Sequence, residues 1–104
     1  MISWYKELFV GEQAEESREK IISNICEHKF QTGIYVIFLA VNGKDIFDLV
    51  PTFMLSEDSY KGRDIIILGI AKGKEEAKEL SRQMIMNVYE QTGGFMIREY
   101  YSEQ

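Results

Sequence analysis

Cysteine occurs once in the 104 residues, at Cys26, so no intrachain disulfide forms and a reducing compartment, the cytoplasm, is expected. No apolar run approaches the roughly 20 residues that span a bilayer, so no membrane partner is expected. The opening MISWYKELF lacks the basic start, apolar middle and small-residue cleavage site of a secretory signal. Positive charge is scarce. Twelve Lys and Arg stand against 17 Asp and Glu, for a net charge of -5. Nucleic-acid binding needs a basic face to release counterions, so no nucleic-acid partner is expected. Linkers, repeats and low-complexity segments are also missing.

What is present suits one globular domain. Hydrophobic residues make up 45% of the chain and charged residues 28%. In MISWYKELFV, Ile2, Tyr5, Leu8 and Phe9 share a helical face, which predicts a short helix or an apolar arm across the core. EQAEESREKIISNICEHK predicts a helix over about 12 to 28, with Ala14, Arg18, Ile21, Ile22 and Ile25 inward. Its acidic start and basic end suit the helix dipole. GIYVIFLAV, 33 to 41, is β-branched and aromatic and predicts a strand buried on both faces. Asn42-Gly43 then signals a tight type I′ turn, and 44 to 50 pairs back as a strand that Pro51 ends. The competing reading caps a short helix over 46 to 55 with Asp45. DIIILGIA, 64 to 71, predicts a central strand. GKEEAKELSRQMIMNVYEQTGG is the clearest helix, inward at Ala77, Leu80, Ser81, Met84, Ile85 and Val88 and stopped by Gly93 or Gly94. FMIREYY, 95 to 101, alternates as a last strand.

The expected order is α-β-β-β-α-β. Strands 64 to 71 and 95 to 101 lie parallel through a right-handed crossover. The expected fold is α+β: a two-layer sandwich of a mixed four-stranded sheet with two main helices on one face.

ILGIAKGKEEA raises the sharpest functional question. An apolar run, Gly69, Gly73 and an immediate helix start are the grammar of a phosphate-cradling turn. Gly69, Ala71, Lys72, Gly73 and Lys74 are therefore the candidate ligand-binding residues. Against this, GxxxxGK[ST] is missing and Ala71 replaces the second glycine of GxGxxG. Glu75 and Glu76 also complement the helix start and repel phosphate. A plain strand-to-helix turn accounts for the same residues.

Other constellations are thinner. Cys26 and His28 lie two apart and face different ways on a helix. Structural zinc wants four ligands, so no metal site is assigned. Cys26 reads as a small buried hydrophobe and His28 as a helix-end charge. They are the best enzymatic pair, but no orienting third group is visible and no catalytic residue is assigned. No cofactor is expected. Trp4, Tyr5, Phe9, Tyr100 and Tyr101 are candidate interface residues, because aromatics with a polar end are enriched at interfaces. Three functions follow in order. The first is a non-enzymatic protein-interaction or regulatory domain, self-associating or bound to a protein partner. The second is a small-molecule or nucleotide sensor at the 69–76 turn, with Tyr60 or Tyr100 nearby. The third is an enzyme.

GIYVIFLAV leading to DIFDLVP, then ILGIAKGKEEAKEL, then VYEQTGGFMIREY, together resemble a small family of uncharacterised bacterial proteins of about this length. The resemblance covers nearly the whole chain. It implies a stand-alone cytoplasmic domain and carries over no activity and no site residue.

Overall fold

Val36, Ile37 and Phe38 are consecutive, and none keeps more than 1% of its surface in water. Successive strand residues point to opposite faces, so this strand needs cover on both sides. That requirement organises the fold. The computed structural model describes residues 1–102. It contains β1 (Ile2–Val10), α1 (Arg18–Cys26, led in by a 3-10 turn at Glu15–Ser17) and β2 (Ile34–Leu39). β3 (Phe47–Pro51), a 3-10 helix at Thr52–Ser56, β4 (Ile65–Lys72), α2 (Lys74–Thr92) and α3 (Ile97–Ser102) follow. The sheet order is β1-β4-β2-β3. β1 runs parallel to β4, and β2 runs antiparallel to both β4 and β3. The class is α+β with a mixed four-stranded sheet, as the sequence implies.

β2 alternates between two cores. Ile34, Val36 and Phe38 meet Ile21 and Ile25 of α1, together with Ile65, Ile67 and Ile70 of β4. Tyr35, Ile37 and Leu39 face Ala77, Leu80, Met84 and Val88 of α2 and Ile97 and Tyr101 of α3. α1 and α2 therefore cover opposite faces, and the two-layer expectation becomes three layers. Burying each large aliphatic side chain here contributes about 1.5–3 kcal/mol.

Two end segments exchange their expected roles. Residues 2–10 form an edge strand, not a helix. Ile2, Trp4, Leu8 and Val10 join the α1 core, while Tyr5 and Phe9 join the α2 core. That period of two coexists with the helical spacing, and the open edge of β4 decides between them. The register slips between Trp4 and Phe9, which pair with Ile67 and Gly69. FMIREYY, read as a strand, instead supplies α3, so β4's parallel neighbour is β1 and not 95 to 101. Ile97 and Tyr101, four apart, both turn into the core. Tyr101 Oη donates to Met84 O at 2.8 Å. Arg98 Nη2 donates to the carbonyls of Ala40 and Asp45, fixing α3 to the β2–β3 loop.

The hairpin pairs as expected, from Leu39–Phe47 to Tyr35–Pro51. Its turn is longer than a two-residue type I′ loop. Asn42 Oδ1 accepts the backbone N–H groups of Lys44 (2.8 Å) and Asp45 (3.1 Å). That Asx turn competes successfully with a tight Asn-Gly turn. The short-helix alternative over 46 to 55 survives only as the 3-10 turn after Pro51. The 12 to 28 helix begins late, at Arg18. α2 ends where expected, with Gly93 in the left-handed conformation (φ 76°).

Burial, then the neighbouring Tyr5 and Tyr100, pushes the Tyr101 hydroxyl up from 10.0 to about 12, against a hydrogen bond to Asn87. Above pH 10 the unfolded chain releases this proton while the folded chain keeps it. Stability is therefore full below pH 10 and falls as the pH rises towards 12. Thermal melts across that range should show the decline, and Tyr101→Phe should flatten it. At neutral pH the same variant should lose about 0.5–1.5 kcal/mol for its missing hydrogen bond. An unchanged slope in Tyr101→Phe would assign the alkaline loss to another group.

Candidate functional site

The turn from β4 into α2 is built by packing. A Cβ on Gly69 would lie 3.2 Å from Leu80 Cδ2, 3.4 Å from Phe9 O and 3.5 Å from Ile37 Cδ1. Glycine there lets α2 sit down on the sheet. Ala71 is buried under α2, whereas Lys72 and Lys74 are exposed. Gly73 adopts φ 86° and donates its N–H to Gly33 O at 2.7 Å. The backbone donors around this turn already have an anion. Glu76 Oε1 accepts the N–H of Lys72 at 2.8 Å, and Oε2 accepts the N–H of Gln13 at 2.7 Å. The carboxylate lies over Gly11, where any Cβ would collide with it. It ties the loop after β1 to the end of β4.

The candidate interface residues divide between the two faces. Tyr5 and Tyr101 are core residues, because β1 is a sheet strand and α3 packs on it. This removes them from the surface that an interface needs. Phe9 and Tyr100 flank them, with Tyr101 edge-on to Tyr5 (5.6 Å), Phe9 (6.1 Å) and Tyr100 (5.1 Å). Trp4 points to the opposite face.

There Trp4 lines a cavity of about 680 Å³ between β1, the end of α1 and the 52–63 segment. α1 ends in a Schellman cap. Lys29 N–H reaches Asn24 O (2.8 Å) and His28 N–H reaches Ile25 O (3.1 Å). His28 takes the left-handed position, φ 57°, where glycine is usual. Gln31 bonds Asn24 and Ile21 O, which returns the chain across the cavity and presents Phe30. Pro51 leads into the 3-10 turn that contributes Thr52, Phe53 and Leu55 to the wall. Tyr60 anchors the last segment. Its ring meets Phe38 edge-on at 5.3 Å, and its hydroxyl donates to Asp48 Oδ2 at 3.3 Å. Burial, then the Asp48 charge, raises its pKa.

This wall unites Cys26, His28, Trp4 and Tyr60 with four residues the sequence reading left aside: Phe30, Phe53, Lys61 and Arg63. Their only sequence signal is a Lys-Gly-Arg triplet and two phenylalanines far apart in the chain, and Cys26 is exposed here rather than buried as its sequence implies, because it ends α1. The charge on the wall is one-sided. His28, Lys29, Lys61 and Arg63 line it, and none of the wall residues is acidic. Lys29 shares its charge with Glu27 at 3.3 Å. Arg63 Nε donates to Ser59 O, and among the described residues neither its Nη groups nor Lys61 pairs with a carboxylate. Thr52 Oγ1 is buried without a partner. Among the described residues, no three His, Cys, Asp or Glu side chains group to hold a metal ion. No helix among them is long and apolar enough to cross a membrane.

The chain matches no protein-family model, no curated protein and no solved structure, so the site is read from its own geometry.

The Glu76 bridge has a measurable weight. Glu76→Ala strips two backbone N–H groups of their acceptor and should cost about 1–2 kcal/mol. Glu76→Gln retains one acceptor oxygen and should cost less. Urea midpoints at constant slope measure both. Equal stability of wild type and Glu76→Ala would make the bridge a bystander.

Proposed function

We propose that the protein is a small-molecule-binding domain, and that its site is the cavity between β1, the end of α1 and residues 52–63. The ligand class is an organic anion with an apolar body. One observation carries this reading: in a chain of net charge -5, the side chains of this wall that carry a full charge at neutral pH, Lys29, Lys61 and Arg63, are all basic. Such a wall attracts negative charge, while Ile2, Trp4, Ile25 and Leu55 supply the apolar surface that gives a ligand its affinity. The volume falls within the roughly 300–1,000 Å³ usual for small-molecule sites. This keeps the sensor reading of the sequence but moves it away from the 69–76 turn, where Glu76 supplies the anion. Cys26 and His28 serve here as wall residues of a binding site.

Trp4 is the one tryptophan, so its indole N–H gives a single NMR signal that reports on the cavity. Decanoate and naphthalene-2-sulfonate are suitable probes. At least one should shift that signal saturably, and Lys61→Glu with Arg63→Glu should weaken binding about tenfold or more (about 1.4 kcal/mol). Silence with both probes, or binding indifferent to the charge reversal, would refute the reading.

A second reading rests on a separate surface. Tyr89 and Phe95 stack at 4.9 Å while both stay exposed, and Met86 and Met96 are exposed as well. Exposed apolar patches of this kind are used for protein association. Self-association there should appear as a rise in mass with concentration in light scattering, and Phe95→Ser should abolish it. A constant monomer mass would remove this reading.

A further inference from the structure

The cavity's chemistry narrows the ligand further. Resting on the binding reading above, we propose that the site takes a mononucleotide, with its base on the Phe30–Phe53 pair and its phosphate at Lys61 and Arg63.

The aromatic pair carries the first half of the argument. Phe30 is 71% exposed and Phe53 is 47% exposed, and both line the cavity. Phenylalanine has no polar end to reward such exposure, unlike tyrosine or tryptophan. Their ring centroids are 6.3 Å apart and the planes are tilted by 36°, an open pair with ring surface left uncovered. A flat heteroaromatic ring covers such surface better than an acyl chain does, because stacking presents one π-face to another. Trp4 and Tyr60 extend the aromatic character deeper into the wall.

The second half is the Lys61-Gly62-Arg63 turn. Gly62 has φ 81°, and nothing lies within 4 Å of where its Cβ would be, so an anion can approach the backbone there. Arg63 is held by its Nε at Ser59 O, at 2.8 Å, which leaves the outer guanidinium edge for a phosphate. Lys61 adds a mobile point charge. This site differs from a phosphate-binding helix start, because its donors are two side chains on a turn facing an aromatic pair. Thr52, on the same wall, has a buried hydroxyl for which the protein supplies no partner.

The proposal separates the contributions of ring and phosphate. AMP, adenosine and ribose 5-phosphate are titrated into the full chain while the Trp4 indole signal is followed. AMP should bind saturably, with adenosine and ribose 5-phosphate each weaker by tenfold or more. Phe30→Ala with Phe53→Ala should weaken AMP about tenfold and leave ribose 5-phosphate unchanged. Both side chains are exposed, so the fold tolerates their loss, and Phe30→Tyr should retain AMP binding. AMP binding no tighter than ribose 5-phosphate, or unchanged by loss of both phenylalanines, would overturn the proposal. Decanoate binding without AMP binding would also overturn it while leaving the broader reading intact. Failure of every probe would remove both. Tighter binding of a single-stranded oligonucleotide than of AMP, scaling with length, would replace the mononucleotide with a polymer.

Discussion

Two central strands with apolar residues buried on both faces set the terms for everything else. β2 and β4 sit in the middle of the sheet, and their apolar residues divide between two cores. A helix must therefore lie on each face, and α1 and α2 take opposite sides. α2 is long and packs closely, with Leu80 against Gly69. α1 has only nine residues. It leaves part of its face open, and the cavity lies where its end, β1 and the 52–63 segment fail to close over one another. The candidate site is thus a by-product of unequal cover on the two faces.

Charge is handled in opposite ways at the two helix-associated turns. At the start of α2, Glu76 satisfies nearby backbone donors from within the chain and joins β1's loop to β4. At the end of α1, the carbonyls are closed by a Schellman cap, while the surrounding side chains are basic and only partly paired. A place with its own anion has little use for another. The cavity wall instead keeps Lys61 and Arg63 without a carboxylate partner among the described residues, beside the exposed rings of Phe30 and Phe53. Glycine spacing marks the first of these turns in the sequence, whereas the second is visible only once the chain is folded.

Much of the fold was legible because its signals are local. The continuous apolar runs marked β2 and β4, and the stripe ending at Gly93 marked α2. The N-terminal segment was misread because Ile2, Tyr5, Leu8 and Phe9 fit a helix while Ile2, Trp4, Leu8 and Val10 fit a strand equally well. Only the free edge of a strand some sixty residues away decides between them. FMIREYY failed in mirror image: its alternation is genuine, but Ile97 and Tyr101 also repeat at four. The cavity was less legible, because it is assembled from segments distant in sequence. Tyr60 was picked out among the candidates, but Phe30, Phe53, Lys61 and Arg63 carry no shared spacing that a linear reading can detect.

The parallel pairing of β1 with β4 also orders events in time. The β2–β3 hairpin joins neighbours in sequence and can close early, whereas Ile2 must find Ile65 across most of the chain. Contacts at such separation form late, because the loop entropy is lost before the contact rewards it. Until β4 is in place, ISWYKELFV remains an unpaired, strongly apolar strand, the kind of segment that sticks to copies of itself. Lys6 and Glu7 sit in its middle, within the stretch where the register slips and both side chains remain in water. Two charges in the least regular part of an edge strand act as gatekeepers against aggregation during folding. The irregularity that looks like a flaw in the finished sheet is thus a safeguard while the sheet is unfinished.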